Sequence, residues 1–403
     1  MEKTIVQNNI SDRVNRLSES ATIAMARKSR ELKAQGIDVI SLSLGEPDFN
    51  TPDFIKEAAI EGIHQNYSKY MAVNGYEDLR DVIVEKFKRD NNIVYKANQI
   101  VVSTGAKQSI ANVVLSTVNP GDEVIIPAPY WVSYEEIVKM AEGIPVYIET
   151  QIENDFKITP EQLQNAISSK TKLMIYSSPC NPSGSVYLKD ELRALADVIV
   201  TQPQMIVISD EIYEHINFTE SYFSMAAFDD VYDQVVTVNG VSKAFAMTGW
   251  RLGYIGAPDS IASACTKIQG QFTSGASSIS QRAALAAISA DPSVVNEMKS
   301  AFLERRDFII NQLKRIDGMK INQPEGAFYV FPDVSSFFGK SIGDRLITDS
   351  NDLCLYLLEE AKVALVTGNA FGSPSCLRIS YAASMEELKE AMDRISQALF
   401  KLS

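Results

Sequence analysis

Lys243 and Arg251 are the residues from which a chemistry can first be read. Lys243 follows the apolar run Val235–Val238 and precedes a second one, Leu252–Gly256. A lysine in such a place is either a surface cation or a partly buried amine of lowered pKa, the form that makes Schiff bases with carbonyl compounds. Taken alone, the solvated cation is the commoner case. Arg251, eight residues on, changes the balance. A lysine just past a buried strand, followed by an arginine, suggests a carbonyl cofactor at the first position and its phosphate at the second.

Other residues would serve such a cofactor. In I-V-V-S-T-G-A-K-Q, a buried strand (Ile100–Ser103) runs into a small-residue turn, Gly105-Ala106-Lys107, and then a helix expected over Ser109–Val118. Backbone N–H groups and the helix dipole make that turn an anion site. If the cofactor is a pyridine aldehyde, its ring nitrogen stays protonated only beside a buried carboxylate. Asp210, directly after Met205–Ser209, suits that role. Asn181 and Tyr213 can bond a ring oxygen, and Trp131, in P-Y-W-V-S-Y, can stack on a ring face. Arg378, in the strand C-L-R-I-S-Y, suits a substrate carboxylate, the other reading being a buried structural ion pair.

The elements that must position these residues alternate between strand and helix. A helix is expected from Ala21 through Lys33, after a Ser or Thr N-cap, then a strand at Val39–Leu42 and a turn at Gly45–Phe49. A second helix runs to about Asp90. Further strands are expected at Glu123–Ile126, Pro145–Ile148, Leu173–Tyr176, Met205–Ser209, Val235–Val238 and Tyr254–Gly256, with helices at Pro160–Ser168 and Lys189–Val200. Apolar strands alternating with helices imply an α/β fold with a largely parallel sheet covered on both faces. In such a sheet ligands gather beyond the carboxyl ends of the strands. Gly105–Lys107, Trp131, Asn181, Asp210, Tyr213 and Lys243 all fall just past a strand end, so residues scattered in sequence should meet in space.

Beyond Ala257 the chain turns mainly helical (Asp259–Gly270, Ser278–Ala290 and a long pattern Pro292–Ile316), and a smaller α/β region follows. There, strands are expected at Lys320–Asn322, Phe328–Phe331, Val363–Val366 and Leu377–Ser380, with helices at Asp352–Ala361 and Met385–Leu399. The loop Asp333–Asp349 is a candidate lid. The resulting plan has an arm at 1–16, part of a small domain at 17–50, a large domain at 51–295 and the rest of the small domain at 296–403.

A net charge of -13 over 403 residues argues against nucleic acid, which needs a cationic surface. No apolar run reaches the length of a membrane span, and the N-terminus lacks a signal-peptide core. The four cysteines form no C-x-x-C pair and there are two histidines, so no metal site or Ser/His/Asp triad is expected. A cytoplasmic location fits.

The chain resembles the class I (fold type I) pyridoxal phosphate (PLP) aminotransferases from Ser11 to Leu402. The resemblance is carried by G-E-P-D-F at Gly45, K-Y-M-A-V-N-G-Y-E-D-L-R, S-T-G-A-K-Q, N-P-S-G, S-D-E-I-Y, S-K-A-F-A-M-T-G-W-R-L-G and L-R-I-S-Y. It implies that Lys243 binds PLP and shuttles the proton between the substrate α-carbon and the cofactor C4′. Asp210 would pair with the pyridine nitrogen, and Asn181 and Tyr213 with the ring oxygen. Arg251, Ser242 and the Gly105–Lys107 backbone would hold the phosphate, and Arg378, Gly45 and Asn181 the substrate α-carboxylate. Tyr70 would reach the cofactor phosphate of a neighbouring subunit, which implies a homodimer with shared active sites.

G-A-K-Q followed by P-Y-W-V-S-Y is similar to the bacterial aspartate aminotransferase subgroup, in which Lys107, helped by Trp131, would recognise the distal carboxylate. The implied reaction takes L-aspartate and 2-oxoglutarate to oxaloacetate and L-glutamate by a ping-pong route. Prephenate, aromatic or alanine transamination, a C–S lyase, or a non-catalytic regulatory domain are the other readings. Two departures stand out. Where many relatives read K-P-S-A-T, this chain has Ser18-Glu19-Ser20-Ala21-Thr22, which argues against prephenate as a second substrate. Where some place a phosphate-binding serine, it has Gly240.

Overall fold

The computed structural model describes residues 10–403. Of the expected arm, residues 1–9 lie outside the described residues. The remainder is not loose: Ser11 caps a short helix, α1 (Asp12–Asn15), and Arg13 pairs with Glu142 at 2.9 Å. Then come α2 (Ala21–Ala34), β1 (Ile40–Ser41), α3 (Asp53–His64) and α4 (Glu77–Asn91). Helix α3 has no counterpart among the sequence expectations. It buries Ile55, Ala59 and Gly62 but leaves Phe54, Ile60 and Ile63 exposed, so its apolar residues do not trace one face.

The centre of the fold is built next: β2 (Ile100–Ser103), α5 (Ala106–Thr117), β3 (Glu123–Pro127), α6 (Ser133–Met140), β4 (Ile144–Ile148), α7 (Pro160–Ala166), β5 (Thr171–Ser177), α8 (Lys189–Ile199), β6 (Ile206–Asp210), β7 (Val235–Gly240) and β8 (Gly253–Gly256). These strands form one seven-stranded sheet of order β2-β8-β7-β6-β5-β3-β4, parallel except for β8, which runs antiparallel to both neighbours. This is the α/β architecture of fold type I. Strands β2, β7 and β8 are buried at every position, as expected of a sheet covered on both faces. Thr159 caps α7 through Gln162 N, with Pro160 at the first helical position.

Helices α9 (Asp259–Phe272) and α10 (Ser278–Ser289) pack back on this unit; the single long helix expected over Pro292–Ile316 is instead a 3₁₀ turn, Pro292–Val295, followed by α11 (Asn296–Leu313). The Asp291 side chain accepts from Ser293 N and starts the tighter turn. The remaining elements are β9 (Tyr329–Val330), β10 (Ser341–Ile342), β11 (Arg345–Leu346), α12 (Ser350–Glu360), β12 (Val363–Ala364), β13 (Val366–Thr367), β14 (Leu377–Ser380) and α13 (Met385–Phe400). The expected strand at Val363–Val366 is two short ones in different sheets, pairing with β1 and β14. The expected strand at Lys320–Asn322 reduces to a bridge from Lys320 to Asp333.

One apolar cluster joins Ile40 and Leu42 to residues from Met298 to Leu402 and takes in Ile212, Tyr213 and Ile216 from the turn after β6, while two others draw on Ile55–Val295. We propose the lobe boundaries at 50/51 and 295/296 on that grouping. Asp333–Asp349 is anchored rather than lid-like. Phe337 and Ile347 are buried in the small-lobe core, Ser341 exchanges backbone bonds with Ser403, and none of the segment lines the main pocket.

Candidate active site

A cavity of about 290 Å³ opens beyond the carboxyl ends of the parallel strands. Strand ends supply Ser177, Asp210, Ser242 and Lys243; the turn after β3 supplies Trp131; the first turn of α5 supplies Ala106 and Lys107. Asn181, Tyr213, Arg251 and Arg378 complete the convergence expected from sequence, with Gly45 on the rim of the small lobe. Gly105 itself lies just behind the lining, next to Ala106, and Tyr70 stands apart. It is 99% exposed and lies outside the pocket of its own chain.

Helix α5 begins at Ala106, three residues earlier than its apolar pattern suggests, because Gly105 takes the N-cap position at φ 84°, where a side chain is disfavoured. No side chain caps this helix, and a Cβ on Gly105 would run into the Arg251 guanidinium. The first turn of α5, Arg251, Ser242 and Lys107 therefore border one corner of the cavity with N–H groups and cations. Arg251 is held by donating to Thr248 O at 2.9 Å. Gly240 contributes nothing there. A Cβ at this position would lie 2.9 Å from Gly253 Cα and from Leu252 O, so strand β8 leaves no room for the serine of some relatives.

Lys243 sits on the cavity floor, its Nζ donating to Gly45 O at 2.5 Å. Burial lowers its pKa to about 8; Glu46 opposes that, and Arg378 and Arg251 reinforce it. Asp210 is 4% exposed, and burial pushes its carboxyl up to about 6. Its Oδ2 accepts from the Tyr134 hydroxyl at 2.6 Å and its Oδ1 from Ile212 N at 3.3 Å. The Tyr213 and Tyr329 hydroxyls meet at 2.7 Å. Gly45 makes that possible, since a Cβ there would collide with the Tyr329 hydroxyl. The Lys107 ammonium lies 5.0 Å over the Trp131 ring, and burial together with Arg251 lowers its pKa.

Arg378 is 2% exposed, between the rings of Tyr329 (4.5 Å) and Phe371 (4.9 Å). It donates to Asn181 Oδ1 at 2.9 Å and Ser43 O at 2.6 Å, but its Nε has no partner. Among the described residues no carboxylate pairs with Arg378 and no cation pairs with Asp210. A buried cation lacking an anion and a buried acid lacking a cation are costly unless a ligand supplies both. The Arg378 ion-pair reading of the sequence is thereby set aside.

Comparison with known proteins gives this arrangement a lineage. A family model described as aminotransferase class I and II matches residues 37–395. The chain belongs to this family. It is a PLP-dependent aminotransferase. The chain is 47% identical to a Petunia hybrida protein, "Bifunctional aspartate aminotransferase and glutamate/aspartate-prephenate aminotransferase", over 99% of its own length and 84% of the relative's. Among solved structures it is similar to the aspartate aminotransferase of Rhizobium meliloti (TM-score 0.95, 41% identity, 98% of this chain and 100% of the other). It is also similar to that of Thermus thermophilus with maleate (TM-score 0.91, 38% identity, 97% and 100%).

The residues of this aminotransferase fit PLP on their own terms. An uncapped helix start with Arg251 and Ser242 matches a phosphate, the unpaired Asp210 a ring N–H⁺, and Lys243 an aldehyde. Tyr134, Tyr329 and Ile23 also line the cavity with no counterpart among the sequence expectations, beside Ser20 and Thr22 of the S-E-S-A-T segment. Tyr134 carried a readable cue: it lies three residues after Trp131 in P-Y-W-V-S-Y, one helical turn away. Tyr329 carried none, because F-Y-V-F reads as ordinary core strand.

Proposed function

We propose that this aminotransferase moves the amino group of L-aspartate to 2-oxoglutarate, giving oxaloacetate and L-glutamate in two half-reactions. The observation that carries the reading is a pair of cation positions in one cavity, Arg378 and Lys107, one for each carboxylate of a dicarboxylic substrate. Bound PLP supplies the electron sink that acidifies the substrate α-carbon. Arg378, with Asn181 and Gly45, holds the α-carboxylate, and Lys107 beside Trp131 holds the distal one. Lys243 would carry the aldehyde of the bound cofactor and, once released as an amine, would take up the proton leaving the substrate α-carbon; its lowered pKa keeps part of it as the free amine near neutrality. Asp210 would keep the pyridine nitrogen protonated, Tyr213 and Asn181 would bond the ring oxygen, and Ser242, Arg251 and the Gly105–Lys107 backbone would hold the phosphate. The pocket-facing start of α2 offers Ser20, Thr22 and Ile23 and no cation, which favours aspartate over prephenate.

The exposed Tyr70, on the same lobe as the exposed Ile60 and Ile63 of α3, supports a homodimer in which Tyr70 reaches the partner's phosphate site. Four free cysteines fit a cytoplasmic location, and no described helix is long and apolar enough to cross a membrane.

Lys107→Ala tests the substrate assignment. The KM for aspartate should rise about tenfold to a hundredfold, the scale of one charged hydrogen bond, with little change for alanine. An unchanged preference for aspartate over alanine would sink it.

A further inference from the structure

A buried cluster of charges lies behind the turn that follows β6. Asp210 at the end of β6 and Ile212 and Tyr213 of this turn line the cavity, whereas Glu211, Glu214 and His215 do not. Lys86, on α4, is 2% exposed, and its ammonium contacts the carboxylate of Glu214, 6% exposed. Asn91 closes the arrangement, accepting from Lys86 Nζ at 2.7 Å and donating to Glu214 Oε2 at 2.8 Å. His215 Nε2 is 3.2 Å from Glu214. Asp90, Glu214 and His215 together have the spacing of metal ligands, but the Lys86 ammonium is already among them, 3.9 Å from Asp90.

Such a pair is an expensive way to hold a core together, because desolvating two charges costs as much as their attraction returns, and an apolar pair is often as stable. What it adds is direction. Backbone bonds hold the turn at its two ends, Ser178 N to Asp210 O at 3.1 Å and Glu211 N to Val238 O at 2.8 Å at one and Ile216 N to Tyr213 O at 2.8 Å and Ala327 N to Ile216 O at 2.7 Å at the other, with Glu214 N to Glu211 O at 3.0 Å between them. Asp210 is held by the sheet, as the last residue of β6 paired with Ser177 and Val238; Glu214 directly follows Tyr213, so fixing Glu214 against α4 fixes how Tyr213 enters the cavity beside it.

We infer that Lys86 and Glu214 are positioning residues, whose buried contact sets the turn that runs from Asp210 and aims Tyr213 at the cofactor ring. The inference rests on the assignment of those two residues to PLP made above.

The test uses the PLP-loaded enzyme. The pair is replaced by an apolar one, Lys86→Met with Glu214→Leu, beside Lys86→Arg and an Asp210→Ala control. Melting temperature reports the fold; the PLP dissociation constant, the wavelength of the visible band, kcat and KM report the site. The double variant should melt near the parent yet bind PLP more weakly and shift the band. It should lose about tenfold to a hundredfold in kcat, the scale of a small misplacement, while KM changes by less than about threefold. Parent-like PLP affinity, band and kcat in the folded double variant, with Asp210→Ala impaired, would overturn the inference and leave the pocket assignment standing. An Asp210→Ala variant equal to the parent would overturn both. Should the double variant fail to fold, Lys86→Arg decides, since it keeps the charge and changes its reach: a shifted band with lowered kcat supports the inference, and parent-like values overturn it.

Discussion

The Tyr134 hydroxyl donates to Asp210 Oδ2 at 2.6 Å, and both side chains are buried. Burial raises the Asp210 pKa to about 6, and the Tyr134 hydrogen bond pulls it back most, ahead of Ile212 N and the Lys243 charge. The bond therefore favours the charged form, the one able to pair with a pyridine N–H⁺.

Tyr134→Phe should accordingly leave Asp210 protonated to higher pH. A hydrogen bond to a charged group contributes about 1.5–3 kcal/mol, so the acid limb of kcat should move up by about one pH unit or more. Steady-state rates measured from pH 5 to 9 check this, and an unmoved limb would show that Tyr134 does not tune Asp210.

Gly105→Ala should weaken cofactor binding more than it weakens the fold. The added Cβ forces a side chain into a positive-φ position and pushes on the Arg251 guanidinium. Losing one charged phosphate contact predicts a PLP dissociation constant raised about tenfold or more, read by titrating the apoenzyme with PLP.

Glu211 gives a stability prediction with a definite sign. Burial, and then the nearby Glu214 charge, raise its pKa to about 8, while Ser224 and Ser209 donate to it at 2.6 and 2.8 Å. The folded state thus holds a proton that the unfolded chain releases near the ordinary value of 4.5. Its contribution is fully present below about pH 4.5 and is lost as pH rises through about 8. Glu211→Gln keeps an acceptor for both serines and cannot ionise. Its melting temperature relative to the parent should therefore climb between pH 5 and pH 8, each unit of displacement being about 1.4 kcal/mol. A difference that is flat with pH would contradict this.

Much of the site could be read from strand ends. Lys243, Asp210, Asn181 and the Gly105 turn each follow an apolar run closely enough that the parallel-sheet rule brings them together, and the cavity lining agrees. What sequence could not supply was contact between segments far apart in the chain: Tyr329 against Gly45 and Tyr213, or Arg378 reaching Asn181 and Ser43, depend on short strands whose pairing is set by tertiary packing. Helix α3 escaped for a related reason, since its exposed Ile60 and Ile63 blur the amphipathic period. The Asp333–Asp349 segment misled in the opposite sense; its Ser and Gly residues suggest a loop, while Phe337 and Ile347 anchor it.

The most direct test of the account is the visible absorbance of the PLP-loaded enzyme mixed with single amino donors, alongside Lys243→Ala. L-aspartate and L-glutamate should bleach the band of the parent far faster than alanine or phenylalanine, and Lys243→Ala should lack the parent's band. Equal bleaching by alanine or phenylalanine would contradict the dicarboxylate assignment. A parent-like band and parent-like bleaching in Lys243→Ala would contradict the central claim, that Lys243 is the residue on which this site works.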